Sequence, residues 1–225
     1  MVREPRLPSR FPDPRLAPAD EPLAWGNDLR VTTLLDAYRH GIFPWPAGDG
    51  SVYWWSPDPR AVIPLDGLHV SRSLRRTLRT QRWRCTRDTA FAEVVQACAA
   101  RRDTGTWIVP ALVRAYHRLH AAGVAHSVEM WAGEELVGGL FGVTVGAAFA
   151  GESMFHRRSD ASKVALVHLV DHLRDRGFTL LDVQLPTPHL ASLGAVEVPR
   201  SIFLRQLRQA VTRPAGFSSG DRQPP

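Results

Sequence analysis

Three groups of residues in this chain have the types and spacing to do chemistry. The first pairs Gly151-Glu152-Ser153-Met154-Phe155 with Asp182-Val183-Gln184. Each group follows an apolar run, so each reads as polar side chains delivered at the end of a buried strand. Alternation puts Asp182 and Gln184 on one face. An acid and an amide in a hydrogen-bonded chain can orient an amine, and Glu152 supplies a second carboxylate. On spacing alone, the plainer reading as strand-end caps or surface groups weighs somewhat more.

The second group is cationic. Between Arg72 and Arg87 there are seven arginines and no acid. Arg72, Arg75, Arg76 and Arg79 recur at helical spacing and share one face, with Arg82 and Arg84 following. Like charges on one face cost stability unless an anion sits there. Phosphate is the usual anion, and arginine grips it bidentately. A solvated basic face is the competing reading. Lys163 is the one lysine among 28 cations, and no role follows from its type alone. The third group is aromatic: Phe43-Pro44-Trp45, Tyr53-Trp54-Trp55 and Trp107. These suit core packing or a stacking surface for a base.

Other constellations fall short. His168 and His172 have the i, i+4 spacing of metal ligands, but HLVDH lacks the glutamate of HExxH and a third ligand, and His117 with His120 is no better. No metal site or cofactor is expected. There is no GxSxG elbow, P-loop or GxGxxG. Arg102-Asp103-Thr104-Gly105-Thr106-Trp107 half matches the loop by which acetyltransferases hold the pyrophosphate of coenzyme A. Its last residue is tryptophan, where the backbone must approach closely.

The elements that must position these groups follow from pattern. Six prolines between 5 and 22 make residues 1–24 an extended lead-in. Thr32 or Thr33 can cap a helix over 33–40 that Gly41 ends. VYWW and RAVI read as short strands among turns, and a domain boundary falls near 68. Ser71 opens the arginine-rich helix, WRCT is a strand, and Asp88 caps a helix to Ala100. Pro110 starts another helix that runs to Gly123. HSVEMWAGEELVGGLFGVTVGAAFAGESMF alternates as a three-stranded meander. Asp160 caps an amphipathic helix to 176, FTLLDVQ is a buried strand, HLASLGA is a turn or short helix, and RSIFLRQLRQAV is the last helix. The expected class is α+β, a mixed and largely antiparallel sheet flanked by helices. The expected division is 1–68, 69–211 and a mobile tail, 212–225.

Composition bounds the rest. A chain of 225 residues with 44% hydrophobic and 22% charged residues has an ordinary globular composition and one large or two small domains. No run approaches the roughly 18 apolar residues of a membrane span, and the N-terminus has no signal-peptide core. Cys85 and Cys98 stand 13 apart without a CxxC, which fits a reducing, cytoplasmic compartment.

In this order, YRHGIFPW (38–45), WWSPDPRAVIPL (54–65), GTWI (105–108), AYHRLHAAGVAHSVEMW (115–131), ELVGGLFGV (135–143), FAGESMFHR (149–157), ASKVAL (161–166), DVQ (182–184) and HLASLGAVEVPR (189–200) resemble the leucyl/phenylalanyl-tRNA–protein transferases. The resemblance covers about 23–207. It implies a small N-terminal domain and a C-terminal GNAT-like (acyl-CoA N-acyltransferase-like) domain. It implies transfer of leucine or phenylalanine, and weakly methionine, from aminoacyl-tRNA to proteins with N-terminal Arg or Lys. The product would pass to the Clp adaptor and protease in an N-end rule degradation route. The resemblance also assigns roles. Asp182 bonds Gln184, Gln184 orients the attacking amine and helps remove its proton, and Glu152 pairs with the acceptor's cationic residue, with Glu152 and Asp182 both open as the carboxylate that touches its guanidinium. Leu140, Phe149, Met154, Leu166, Leu169 and Leu181 form the aminoacyl side-chain pocket. Trp45, Trp107, Tyr38 and Tyr116 stack about the 3′-terminal adenosine, and Arg72, Arg75, Arg76, Arg79, Arg82 and Arg84 meet the acceptor stem. Lys163 lies in a matched motif. A cytoplasmic monomer is expected. The competing functions are an acetyl-coenzyme A N-acetyltransferase and a non-catalytic RNA-binding module.

Overall fold

The computed structural model describes residues 8–47, 50–80, 82–100 and 107–218. Strands β1 (Ala24–Trp25), β2 (Phe43–Pro46) and β3 (Val52–Trp55) form an antiparallel sheet ordered β1-β3-β2, with helix α1 (Val31–Arg39) between the first two. The larger sheet has seven strands in the order β10-β4-β9-β8-β7-β6-β5. They are β4 (Arg60–Val62), β5 (Arg84–Arg87), β6 (Ala125–Ala132), β7 (Glu135–Val145), β8 (Ala148–His156), β9 (Leu180–Gln184) and β10 (Val196–Val198). The helices along it are α2 (Arg72–Arg79), α3 (Phe91–Ala99), α4 (Pro110–Ala121), α5 (Ala161–Asp175), α6 (Pro188–Ser192) and α7 (Arg200–Val211). Every pairing in the larger sheet is antiparallel except β8 with β9. β4 precedes residue 68 in the chain and joins this larger sheet.

The meander β6–β7–β8 forms as its alternation requires. It turns at Gly146 with φ +56°, where a Cβ would lie 2.5 Å from the Val211 carbonyl oxygen. Two apolar cores result. One joins α1, α3, α4 and α7 around Leu34, Val94, Leu112, Phe141 and Phe203, and the other joins α2 and α5 around Leu74, Leu140, Leu166 and Phe149. Each fully buried leucine contributes roughly 2 kcal/mol to this packing. Among the described residues no helix is long and apolar enough to cross a membrane.

Local signals held where the side chain had no better partner. Ser71 accepts the Leu74 amide and caps α2. Asp88 and Asp160 do not cap their helices. Both have left-handed backbones, φ +57° and +68°, and their carboxylates go elsewhere. Asp88 accepts from the Ser127 amide and from His126 Nδ1. α1 begins after Arg30 without a threonine cap. Residues 212–218, the described part of the tail expected over 212–225, pack against the rest of the chain. The Phe217 ring is buried against His126, Phe149 and His172, and Arg176 donates to the Gly216 and Ser218 carbonyls. The lead-in is held too at Phe11, Ala17 and Pro18. Buried Arg200 donates to the Ala17, Pro18 and Ser56 carbonyls, and Phe11 packs on Trp54.

Candidate active site

The site forms where the one parallel pair comes apart. β8 and β9 pair from Ala148–Leu180 to Ala150–Asp182 and no further. Beyond that point their ends separate, at the carboxyl end of a parallel pair, where ligands commonly bind in open sheets. Each strand also carries an extra residue there. Gly142 faces Gly151 and Phe141 faces Ser153, which leaves Glu152 as a bulge. Val62 faces Asp182 and Ala61 faces Gln184, which leaves Val183 as a second bulge. Bulges break alternation and re-aim side chains. Gln184 follows with φ +62°, unusual for a residue with a side chain.

This irregularity changes who bonds whom. The Gln184 side-chain amide does not meet Asp182. Its Nε2 donates to Glu152 Oε1 at 2.8 Å, and Tyr116 Oη donates to Glu152 Oε2 at 2.6 Å. An ionised carboxylate only accepts, so the Gln184 NH2 faces it and Oε1 stays outside that bond. Asp182 instead accepts the Gln184 backbone amide at 2.9 Å. Its remaining capacity goes to Arg60, whose Nε and Nη2 donate to the two carboxylate oxygens at 2.8 and 2.7 Å. Arg60 is 1% exposed and lies between the Phe43 and Phe203 rings.

Protonation follows the surroundings. Burial pushes the Glu152 carboxyl up to about 7, against the Tyr116 and Gln184 hydrogen bonds and the nearby Tyr38 hydroxyl, which favour its anion, and with some repulsion from Asp182. Burial, then the Glu152 charge, raises the Tyr38 and Tyr116 phenols well above their ordinary value. Both therefore stay protonated and able to donate.

Between the parted strands lies a cleft of about 340 Å³. Leu140, Met154, Leu166, Leu169 and Leu181 give it an apolar wall, and Glu152 and Gln184 are also in the wall. Phe149 is not. It precedes the bulge, points into the α5-side core and stacks on Phe217 at 5.7 Å. Trp45 and Trp107 line the cleft, stacked on each other at 5.0 Å and 14°. Tyr38 and Tyr116 are 3% and 0% exposed, so neither has a face for a base; Tyr116 donates to Glu152, and the buried Tyr38 hydroxyl has no hydrogen-bond partner among the described residues.

The basic group stands apart. Leu74 and Leu78 of α2 pack toward α5, while Arg72, Arg75, Arg76, Arg79, Arg82 and Arg84 are exposed. None of the six has an ion-pair partner among the described residues. Arg82 and Arg84 lie over the Trp83 and Trp131 rings at 4.4 and 5.6 Å. Lys163 Nζ meets Asp160 Oδ1 at 3.0 Å, outside the cleft lining. The half-matched pyrophosphate loop, 102–106, lies outside the described residues, and of it only Trp107 is seen.

Sequence reasoning missed Arg60, whose partner is 122 residues away. It also missed Val183, Leu185, Thr187, His189 and Leu190, which complete the cleft wall. The TPHL stretch held a signal for these last residues. Pro188 begins α6, and Thr187 Oγ1 caps it by accepting the Leu190 amide.

Similar proteins span nearly the whole chain. One leucyl/phenylalanyl-tRNA–protein transferase, from an Anaeromyxobacter species, is 52% identical over 96% of this chain and 97% of its own. Those of Desulfatibacillum aliphaticivorans and Aromatoleum aromaticum are 53% and 58% identical, over 91% and 80% of this chain and 89% and 77% of theirs. A solved structure of L-PGS from Bacillus licheniformis superposes with a TM-score of 0.41 at 11% identity, over 65% of this chain and 48% of that one. The profile of the leucyl/phenylalanyl-tRNA protein transferase N-terminal domain matches residues 27–58, and that of the transferase proper matches 62–208. The chain therefore belongs to the leucyl/phenylalanyl-tRNA–protein transferase family.

Proposed function

We propose that this chain moves leucine or phenylalanine from aminoacyl-tRNA to the N-terminal amine of proteins beginning with Arg or Lys, with the chemistry in the β8–β9 cleft. The observation that carries this is an amide held by a carboxylate, in the wall of an apolar pocket, at the point where two strands separate. The ester of the donor is already activated, so the protein's work is positioning and a path for the proton. Leu140, Met154, Leu166, Leu169 and Leu181 receive the side chain. A wholly apolar pocket separates similar side chains by only about 1–3 kcal/mol, so methionine is carried weakly. Met154 adapts between leucine and phenylalanine.

The stacked Trp45–Trp107 pair offers its outer face to the 3′-terminal adenosine, and the arginines of α2 meet the acceptor stem. Gln184 Oε1 accepts an N–H of the incoming α-amine and points the amine's lone pair at the ester carbon. Attack forms the C–N bond, the ester C–O bond breaks, and the leaving ribose oxygen takes the proton that the amine loses and becomes the free hydroxyl. Glu152, ionised above about pH 7, holds the Gln184 amide and draws the acceptor's cationic end. Asp182 is already paired with Arg60, which leaves Glu152 as the carboxylate for the acceptor. The mixed sheet with one parallel pair fits a GNAT-like domain. The product would enter an N-end rule route through a Clp adaptor and protease, and the enzyme would act as a cytoplasmic monomer.

Charged Phe-tRNA and a peptide beginning with arginine test the reading. Labelled phenylalanine appears on the peptide amine, and its absence overturns the proposal. Gln184→Ala slows transfer about 100-fold, the scale of a misplaced reactant, and leaves tRNA binding intact.

A further inference from the structure

We infer that Arg60 is a positioning residue for this reaction, acting through Asp182 on the turn that aims Gln184. The inference rests on the role given to Gln184 above.

The geometry begins with a cation in a closed site. The Arg60 guanidinium is sandwiched between the Phe43 and Phe203 rings, 4.8 and 4.5 Å from their centroids. Its Nε and Nη2 grip both oxygens of Asp182, and Nη1 donates to the Gly41 carbonyl at 3.0 Å. Two parallel bonds from one planar group fix the Asp182 carboxylate in position and in rotation, and the third anchors the group itself. The same Oδ1 that meets Nε accepts the Gln184 backbone amide. That bond, with the bulge at Val183, is what holds Gln184 at φ +62°, a conformation kept only where the surroundings over-determine it. Let Asp182 drift, and Gln184 relaxes toward extended backbone. Its Nε2 then leaves Glu152.

The third bond reaches the donor side. Gly41 has φ +74°, and a Cβ there would lie 2.7 Å from the Phe203 ring, so the turn is fixed against α7. It joins Tyr38, whose hydroxyl is near Glu152, to β2, whose Trp45 lines the cleft. One guanidinium thus ties the Gln184 turn to the turn before β2, while β2 itself is held by its pairing with β3. Stability alone does not require such a group. A buried ion pair replaced by apolar side chains of similar size commonly folds as well or better. What the apolar pair cannot supply is the bond to the Gln184 amide.

The experiment uses that difference. Arg60→Met combined with Asp182→Leu removes both charges and strands neither, while Arg60→Lys keeps the charge and loses the fork. Transfer from Phe-tRNA to an arginine-starting peptide is measured with melting temperature alongside. The double variant is expected to melt near or above the wild-type temperature, with kcat down about 100-fold and KM for Phe-tRNA within about threefold. Arg60→Lys is expected to fold and lose about 10-fold in kcat, again with KM held. A merely structural pair would lower the melting temperature and leave the kcat of the folded fraction unchanged. Wild-type kcat in a folded double variant overturns the inference. If the double variant does not fold, wild-type kcat in Arg60→Lys overturns it. No transfer by the wild-type protein would instead remove the proposed function.

Discussion

Glu152 and Asp182 sit on neighbouring strands at the same opening, 7% and 4% exposed, and they are built for different work. Asp182 faces a guanidinium and a backbone amide. Glu152 faces phenols and a side-chain amide, with no cation paired to it among the described residues. Burial therefore dominates at Glu152 and holds its carboxyl near 7, where it changes charge in the working range. Two acids that look equivalent by spacing are thus a fixed strut and a titrating group. The partner decides which, and the partner comes from another part of the chain.

The comparison breaks most visibly if one acid is removed at a time. Asp182→Leu alone strands the buried Arg60 charge and is expected to cost about 3–5 kcal/mol, read by urea denaturation. A loss under about 1 kcal/mol would mean that the pair does not hold this region together. Glu152→Gln strands no charge. A carboxyl raised in the folded state contributes stability that is present below its unfolded value of about 4.3 and is lost as pH climbs through about 7. The glutamine variant should therefore match wild type near pH 4 and exceed it at pH 8 by roughly 3 kcal/mol. A less stable glutamine variant at pH 8 would show that burial does not penalise the Glu152 anion.

The same acid gives a kinetic signature. Wild-type transfer should climb with pH as Glu152 ionises near 7, and the acceptor amine adds a second rise near its own value of about 7.7–8.0. In Glu152→Gln the lower step disappears and the upper one stays. A pH profile of kcat that keeps both steps would move the titration to another group.

A smaller effect is expected where cations are exposed. Arg72→Ala with Arg79→Ala leaves stability within about 0.5 kcal/mol, since neither pairs with an acid among the described residues. It weakens tRNA binding, and the slope of log affinity against log salt falls by about two, one for each phosphate left without its arginine. An unchanged slope would take the acceptor stem off α2.

Much of this contrast was legible in the sequence, and the illegible part has a physical cause. Periodicity identified the meander and α2, because an apolar stripe and a serine cap act over a few residues. Leu140, Met154, Leu166, Leu169 and Leu181 were placed at the cleft through the resemblance. Phe149, carried over with the same resemblance, precedes the bulge at Glu152 and packs into the core instead. The second bulge, at Val183, likewise sent the Asp182 and Gln184 side chains to different partners. Asp88 and Asp160 have the residue type of caps, but the Asp88 carboxylate bonds His126 across the fold, and that of Asp160 bonds Lys163, three residues on, and Thr77 of α2. Arg60 and Phe217 were silent because their meaning lies in contacts to residues distant in the chain.

The smallest effect belongs to the lone lysine. Lys163 Nζ meets Asp160 Oδ1 at 3.0 Å, and Thr77 Oγ1 donates to Oδ2 of the same acid at 3.3 Å. Asp160 therefore links the first turn of α5 to α2, and Lys163 supplies its counter-charge. The lysine side chain is 36% exposed, and pairs of that kind contribute about 0–1 kcal/mol. Arginine reaches the same carboxylate with a longer stem and more donors, and nothing around the pair demands a compact ammonium. Lys163→Arg is expected to leave transfer unchanged and stability within about 0.5 kcal/mol. Lys163→Ala should cost about that much, by leaving Asp160 with Thr77 alone. A fall in kcat with Lys163→Arg at constant melting temperature would require a contact between the ammonium and substrate. Chemistry would then reach beyond the two acids, onto the surface that α5 shares with the basic helix.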